Sequence, residues 1–363
     1  MMIAYFTPRA YPAQPMTDYN DTVQGYDPEG DGDAGGIFGL PPNPDHAEAV
    51  IIPVPFDATT SYHAGTADAP RRVRDASVQV DMHDHRFGRA DQRGLHLEDE
   101  PEGVRELSEA TRKDVERLTG DDANTMSEAE RGEAYARVNA ASERMLEIVR
   151  TRVRAILDAG KLPVILGGDH STPLGAIRAC AERFGPLGVL QIDAHMDFRE
   201  AYQGFTHSHA SIMYNALHLP DALSHVVQVG IRDYSSTERA IGEQDTRVRT
   251  FFDDDLADRL AAGELWRDLC REMIQYLPEN VYVTFDIDGL DPALCPTTGT
   301  PVPGGLSFQQ VSILLQTLAE SGKRVVGCDL VEVGPGRGEG DEFDANVGAR
   351  ILYRLLACAL ATR

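Results

Sequence analysis

Short, nearly continuous apolar runs recur along the chain, at Ala49–Val54, Pro163–Leu166, Leu187–Ile192, 225–230, 247–252, 280–285 and 324–331. Runs of this length without polar alternation read as strands buried on both faces. Between and around them lie segments with helical spacing, at 69–80, 127–159, 172–184, 209–217, 264–277, 307–321 and 344–361. Ser127-Glu128-Ala129-Glu130 opens the longest of these with a helix N-terminal signal. Strands alternating with helices predict an α/β fold, a mostly parallel sheet with helices on both faces.

Two stretches fall outside the alternation. Residues 1–45 are rich in Gly, Pro and Asp and read as an N-terminal extension. Residues 88–126 are charged and turn-rich and read as an insertion. No internal repeat or Pro/Ser linker divides the second half, so residues 46–363 read as one domain.

Composition narrows the class. With 363 residues and 42% hydrophobic content the chain can bury a large core. It has no run of 18 apolar residues, which excludes a membrane-spanning helix, and its start lacks a basic-then-apolar leader, so it reads as cytoplasmic. A net charge of −24 argues against nucleic-acid and anionic-membrane partners. Cys180, Cys270, Cys295, Cys328 and Cys358 are scattered, with no Cys-x-x-Cys pair, so neither a disulfide framework nor a zinc–thiolate site is implied.

The chemistry concentrates at three strand ends. His170 lies in Gly167-Gly168-Asp169-His170-Ser171. Asp193, His195 and Asp197 form Asp-x-His-x-Asp, and Asp286 and Asp288 form Asp-x-Asp. Strand ends are where open α/β sheets hold their ligands. If the chain stayed extended, residues 193, 195 and 197 would point the same way. Four carboxylates and two imidazoles gathered there would need cations between them. An oxygen-rich set with some imidazole suits Mn²⁺, and also Fe²⁺, Co²⁺ or Ni²⁺. Two such ions bridged by carboxylates activate a water as a nucleophile. The bookkeeping of four carboxylates, two divalent ions and a hydroxide leaves about −1, which favours a cationic electrophile.

These motifs, in this order, resemble the ureohydrolase family of arginases, agmatinases and their relatives. The resemblance runs from about Ala49 to the C-terminus. It includes Thr298–Leu306 and Leu330-Val331-Glu332-Val333 as well as the three metal motifs. It implies a three-layer α/β/α domain with an eight-stranded parallel sheet, two divalent metal ions (Mn²⁺ first, Ni²⁺ as the alternative), and a homo-oligomer, trimer or hexamer. The implied reaction cleaves a small cationic guanidino substrate to urea and an amine. By motif, His170, Asp193, Asp197 and Asp286 would hold one metal, and Asp193, His195, Asp286 and Asp288 the other, with Asp193 and Asp286 shared. Glu332 matches the carboxylate that grips the guanidinium, and Thr300 a supporting hydroxyl. His209 matches the proton shuttle, with His207 nearby as a loop residue touching substrate.

The Asn-bearing loop that holds the α-amino acid end of arginine is absent. The stretch Ser208-His209-Ala210-Ser211 resembles agmatinases, so agmatine, cleaved to putrescine, is the expected substrate. The alternatives are guanidinobutyrate, formiminoglutamate or free guanidine as substrate, or a catalytically silent metal-binding relative. A binuclear phosphoesterase would place Arg, Lys or Asn by the metals, where these motifs place acids. Arg199, just past Asp197, is the nearest residue that would pair with a substrate carboxylate. Trp266 and Cys295 read as core. His83 and His85 read as solvent-facing.

Overall fold

The structure is a computed structural model that describes residues 35–363. Most of the expected extension, residues 1–34, lies outside the described residues. Eight parallel strands form one sheet: β1 (Ala49–Val54), β2 (Leu95–Leu97), β3 (Leu162–Gly167), β4 (Leu187–Ile192), β5 (Leu223–Ile231), β6 (Val248–Phe252), β7 (Asn280–Phe285) and β8 (Arg324–Leu330). Their order across the sheet is β2-β1-β3-β8-β7-β4-β5-β6. The apolar runs made this legible, since β1, β3 and β4 are buried along their whole length.

Ten α-helices are present among the described residues. They are α1 (Ala69–Ser77), α2 (Val104–Thr119), α3 (Glu128–Asp158), α4 (Leu174–Phe184), α5 (Ile212–His218), α6 (Ser236–Gln244), α7 (Asp253–Ala261), α8 (Trp266–Gln275), α9 (Phe308–Ala319) and α10 (Phe343–Ala361). Because side chains alternate across a strand, the sheet feeds two cores. Ile51, Val164, Leu190 and Val283 pack with α1, α8, α9 and α10. Val50, Ile165, Val189 and Tyr282 pack with α3, α4 and α5. The result is the expected three-layer α/β/α sandwich. Among the described residues no helix is long and apolar enough to cross a membrane.

The capping box at Ser127 forms as the sequence implies, its side chain accepting from Glu130 N–H while Glu130 reaches back. The charged stretch 88–126 is less turn-rich than expected: it supplies the edge strand β2, paired parallel to β1, and the 16-residue helix α2, packed on α3. Trp266 is buried at the start of α8, its indole N–H donating to Gln310 O at 2.8 Å. The five cysteines are free and buried, and His83 and His85 are exposed.

Candidate binuclear metal centre

The four central strands, β3, β8, β7 and β4, end at the same edge of the sheet, and each hands a motif to the site. His170 follows β3, Asp193–Asp197 follow β4, Asp286 and Asp288 follow β7, and Glu332 follows β8. Beyond the strand ends the chain does not stay extended. Asp197 takes a left-handed backbone, φ 55°, and so does Glu332, φ 60°. Asp286 N-caps a 3₁₀ turn at Ile287–Gly289 and accepts from Asp288 N–H at 2.9 Å. The residues therefore converge by tight local turns and not by the strand alternation expected from their spacing. Non-glycine residues with positive φ are costly and gather where function over-determines the backbone. Gly289 permits one of these approaches: a Cβ there would lie 2.7 Å from Asp193 N.

The geometry brings the expected ligands together. His170 Nδ1 lies 3.1 Å from Asp193, 3.0 Å from Asp197 and 3.3 Å from Asp286 carboxylate oxygens. His195 Nδ1 lies 3.1 Å from Asp288 Oδ2 and 3.6 Å from Asp193 Oδ1. His170, Asp193 and Asp197 form one group able to hold an ion, and Asp193, His195 and Asp288 another, sharing Asp193. Asp286, expected as the second shared ligand, faces the first group through His170.

Electrostatics tests whether cations fit here. The ring nitrogen Nε2 of His170 lies 2.9 Å from Thr284 Oγ1, whose own proton goes to Asp329 Oδ1 at 3.0 Å. Thr284 therefore accepts from Nε2–H, and Nδ1 is left without a hydrogen-bond partner, buried, and aimed at three carboxylates. A lone pair among anions is repulsive unless a cation or a proton lies between. Burial and neighbouring carboxylates push Asp286 and Glu332 well above the usual carboxylate range, and Asp197 to about 7. Burial also acts to raise Asp193, but the neighbouring His170 and His195 imidazoles hold it low. The carboxylates in turn keep both imidazoles above their ordinary value, against burial. Divalent ions would take the place of those protons, so the residues fit two metals.

Glu332 stands beside this cluster. Its Oε1 accepts from His170 N–H at 2.9 Å, while Oε2 is buried without a partner. Thr298 donates to Glu332 O at 2.8 Å, and Thr300 Oγ1 lies 3.3 Å from Asp288 Oδ2. A cavity of about 150 Å³ opens over the ligands, walled by Glu332, Thr300, His209, Ser61, Arg199, Tyr202, Asp233, Tyr234 and Glu238. Burial, reinforced by the charge of His195, lowers His209 to about 3. Its Nε2 lies 3.3 Å from Ser61 Oγ. His207, expected to touch substrate, does not line the cavity. Its Nε2 lies 3.0 Å from Glu143 on α3.

The family model of the Arginase family matches residues 47–358. The chain belongs to the arginase family. It is an amidinohydrolase of that family, a hydrolase of guanidino C–N bonds. It is 31% identical to an N(1)-aminopropylagmatine ureohydrolase of Thermus thermophilus, over 88% of this chain and 93% of that one. It is 32% identical to an agmatinase of Proteus mirabilis, over 85% and 87% respectively. Among solved structures it resembles the proclavaminate amidinohydrolase of Streptomyces clavuligerus, with a TM-score of 0.68, 26% identity, and coverage of 91% and 98%.

Sequence reasoning missed the supports of this arginase-family centre. Gln191 donates to Asp193 Oδ2 at 2.8 Å and is itself held by Gln228, which in turn accepts from Thr250. Arg232 donates to the backbone oxygens of Asp288, Leu290 and Val302, fixing the loop behind the second group. A polar residue inside an otherwise apolar strand, such as Gln191, Gln228 or Thr284, was the available signal.

Proposed function

We propose that this enzyme hydrolyses a small guanidino compound bearing a second, cationic group, with agmatine as the simplest candidate, to urea and the corresponding amine. The observation that carries this reading is the charge on the outer wall of the cavity. Arg199, the residue placed to receive a substrate carboxylate, has its Nε 3.6 Å from Glu238 Oε2 and its guanidinium stacked 4.7 Å over Tyr202. Its charge is already answered. Asp233 lines the same wall, exposed, with no hydrogen bond or ion pair to its carboxylate among the described residues. A cationic tail gains a partner there, and an anionic tail meets repulsion.

At the inner end, the free Oε2 of Glu332 accepts from a guanidinium N–H, and its partner oxygen is fixed by His170 N–H. His170, Asp193, Asp197 and Asp286 would hold one divalent ion, and Asp193, His195, Asp286 and Asp288 the other. When bound, the two ions supply Lewis acidity and activate water for attack on the guanidinium carbon. The oxygen-rich donor set supports Mn²⁺, with Ni²⁺ as the alternative. Held neutral by burial, His209 would take up the proton given up by the attacking water and deliver it to the leaving amine as the C–N bond breaks. The family resemblance supports a homo-oligomer, trimer or hexamer.

The test is urea release with Mn²⁺ and with Ni²⁺ from agmatine, N(1)-aminopropylagmatine, arginine, guanidinobutyrate and guanidine. The expected order of kcat/KM places the substrates with cationic tails first. Asp233→Asn should lower kcat/KM for agmatine by about tenfold, the worth of one charged pair, and leave free guanidine nearly unaffected. A preference for guanidinobutyrate or arginine overturns the reading.

A further inference from the structure

Tyr202 and Phe205 belong to one tight turn with two outward faces. Each donates its backbone N–H to the other's carbonyl, at 3.2 and 2.9 Å. The two central residues, Gln203 and Gly204, have positive φ of 54° and 89°, the signature of a type I′ hairpin turn. Tyr202 faces the cavity, edge-on to the His209 ring at 5.8 Å. Phe205 faces away and is 1% exposed. It sits in a separate small core built by Val115 and Leu118 of α2 and Ala134 and Val138 of α3. The fit is close, since a Cβ at Gly204 would lie 2.5 Å from the Tyr135 ring.

Polar contacts pin the same turn. Asn139 Oδ1 on α3 accepts from Thr206 N–H at 3.0 Å and from its hydroxyl at 3.2 Å. Asn215 donates to Thr206 O at 2.8 Å. Helix α2 also grips the loop after β1, which carries Ser61. Arg112 donates to Thr60 O at 2.6 Å, and Ser108 Oγ accepts from Asp57 N–H at 3.0 Å. Thr59 Oγ1 then accepts from His209 N–H at 3.1 Å and donates to the buried Asp169 at 2.9 Å.

We propose that Phe205 and Asn139 are positioning residues: α2 and the first half of α3 form a seat for the Tyr202–Phe205 turn, and this seat holds Tyr202 and His209 at the cavity wall. The charged segment 88–126, which carries α2, thereby serves catalysis without touching substrate. The kinetic part of the test rests on the amidinohydrolase reading; the exchange part does not.

Asn139→Ala removes the tether without opening a cavity, Asn139→Asp keeps an acceptor, and Phe205→Leu keeps most of the apolar filling. The expected result for Asn139→Ala and Phe205→Leu is a fall in kcat per metal-loaded chain of about tenfold or more, since small misplacements of reacting groups are costly. KM should change far less than kcat, metal content should stay at the wild-type level, and Asn139→Asp should recover most of the activity. Amide hydrogen exchange should quicken in residues 199–211 of Asn139→Ala while β3, β4 and β7 keep wild-type protection. Unchanged kcat per metal-loaded chain in both variants, or unchanged exchange at 199–211, overturns the proposal. A wild-type enzyme that releases urea from no guanidino compound would instead sink the functional reading, and the exchange measurement would still decide the seat.

Discussion

His207 and His209 are two positions apart in sequence but sit in different surroundings. His209 lies on the cavity wall beside Ser61, largely stripped of water. His207 points to Glu143, on the surface of α3. His209→Asn should lower kcat by about 10²-fold or more, the usual worth of a placed proton carrier. Metal content, measured by elemental analysis, should stay intact, because His209 is not a ligand. His207→Asn should cost much less. A reversed ranking would return the shuttle role to His207. At this scale the convergence of the candidate metal ligands was legible in the sequence, since acids and imidazoles at apolar strand ends have few structural explanations. The partner of each histidine was not. Glu143 is distant in sequence from His207, and nothing local announces that contact.

The centre is held as much by strands as by ligands. Thr284 at the end of β7 links His170 to Asp329 on β8, and Asp329 also accepts from Phe285 N–H. That cross-strand relay fixes which ring nitrogen faces the ions. Thr284→Val keeps the shape but removes the acceptor for Nε2–H. Metal affinity should fall by about 10-fold to 100-fold, as is usual for outer partners of ligating histidines. Competition against a chelator would show this, with circular dichroism unchanged. Equal affinity in wild type and variant would mean that packing alone orients the ring.

Elements were legible in proportion to their burial. The strands at the middle of the sheet are mostly apolar and buried, whereas β2 has three residues, Leu95, His96 and Leu97, too few to show a pattern. Helix α2 buries only a narrow stripe, Val104, Ser108, Thr111, Val115 and Leu118, two of them hydroxyl residues, which hides the period. Helix α6 carried a readable signal, the Ser235 and Glu238 capping box, that its polar body obscured.

Across the whole molecule, two bound ions would tie together motifs from non-adjacent parts of the chain at the ends of β3, β4 and β7. Binding to the folded form alone adds stability of about 2.7 kcal/mol at a hundredfold excess over Kd. Removing the ions with a chelator should therefore lower Tm by several degrees at neutral pH. The pH dependence has a definite sign. In the metal-free protein the carboxyl of Asp197 titrates at about 7, and His170 and His195 hold protons above their ordinary value. Each proton must leave before its group binds a cation. Lowering the pH below about 7 adds protons at Asp197 in competition with metal, so apparent affinity falls. The Tm gap between metal-loaded and chelated protein should then be wide near pH 8 and shrink steadily towards pH 5.5. Calorimetric titrations in buffers of different ionisation enthalpy should show proton release on metal uptake. A gap that holds constant over that range, or metal uptake without proton release, would mean that the buried carboxylates and imidazoles are not the groups that hold the ions.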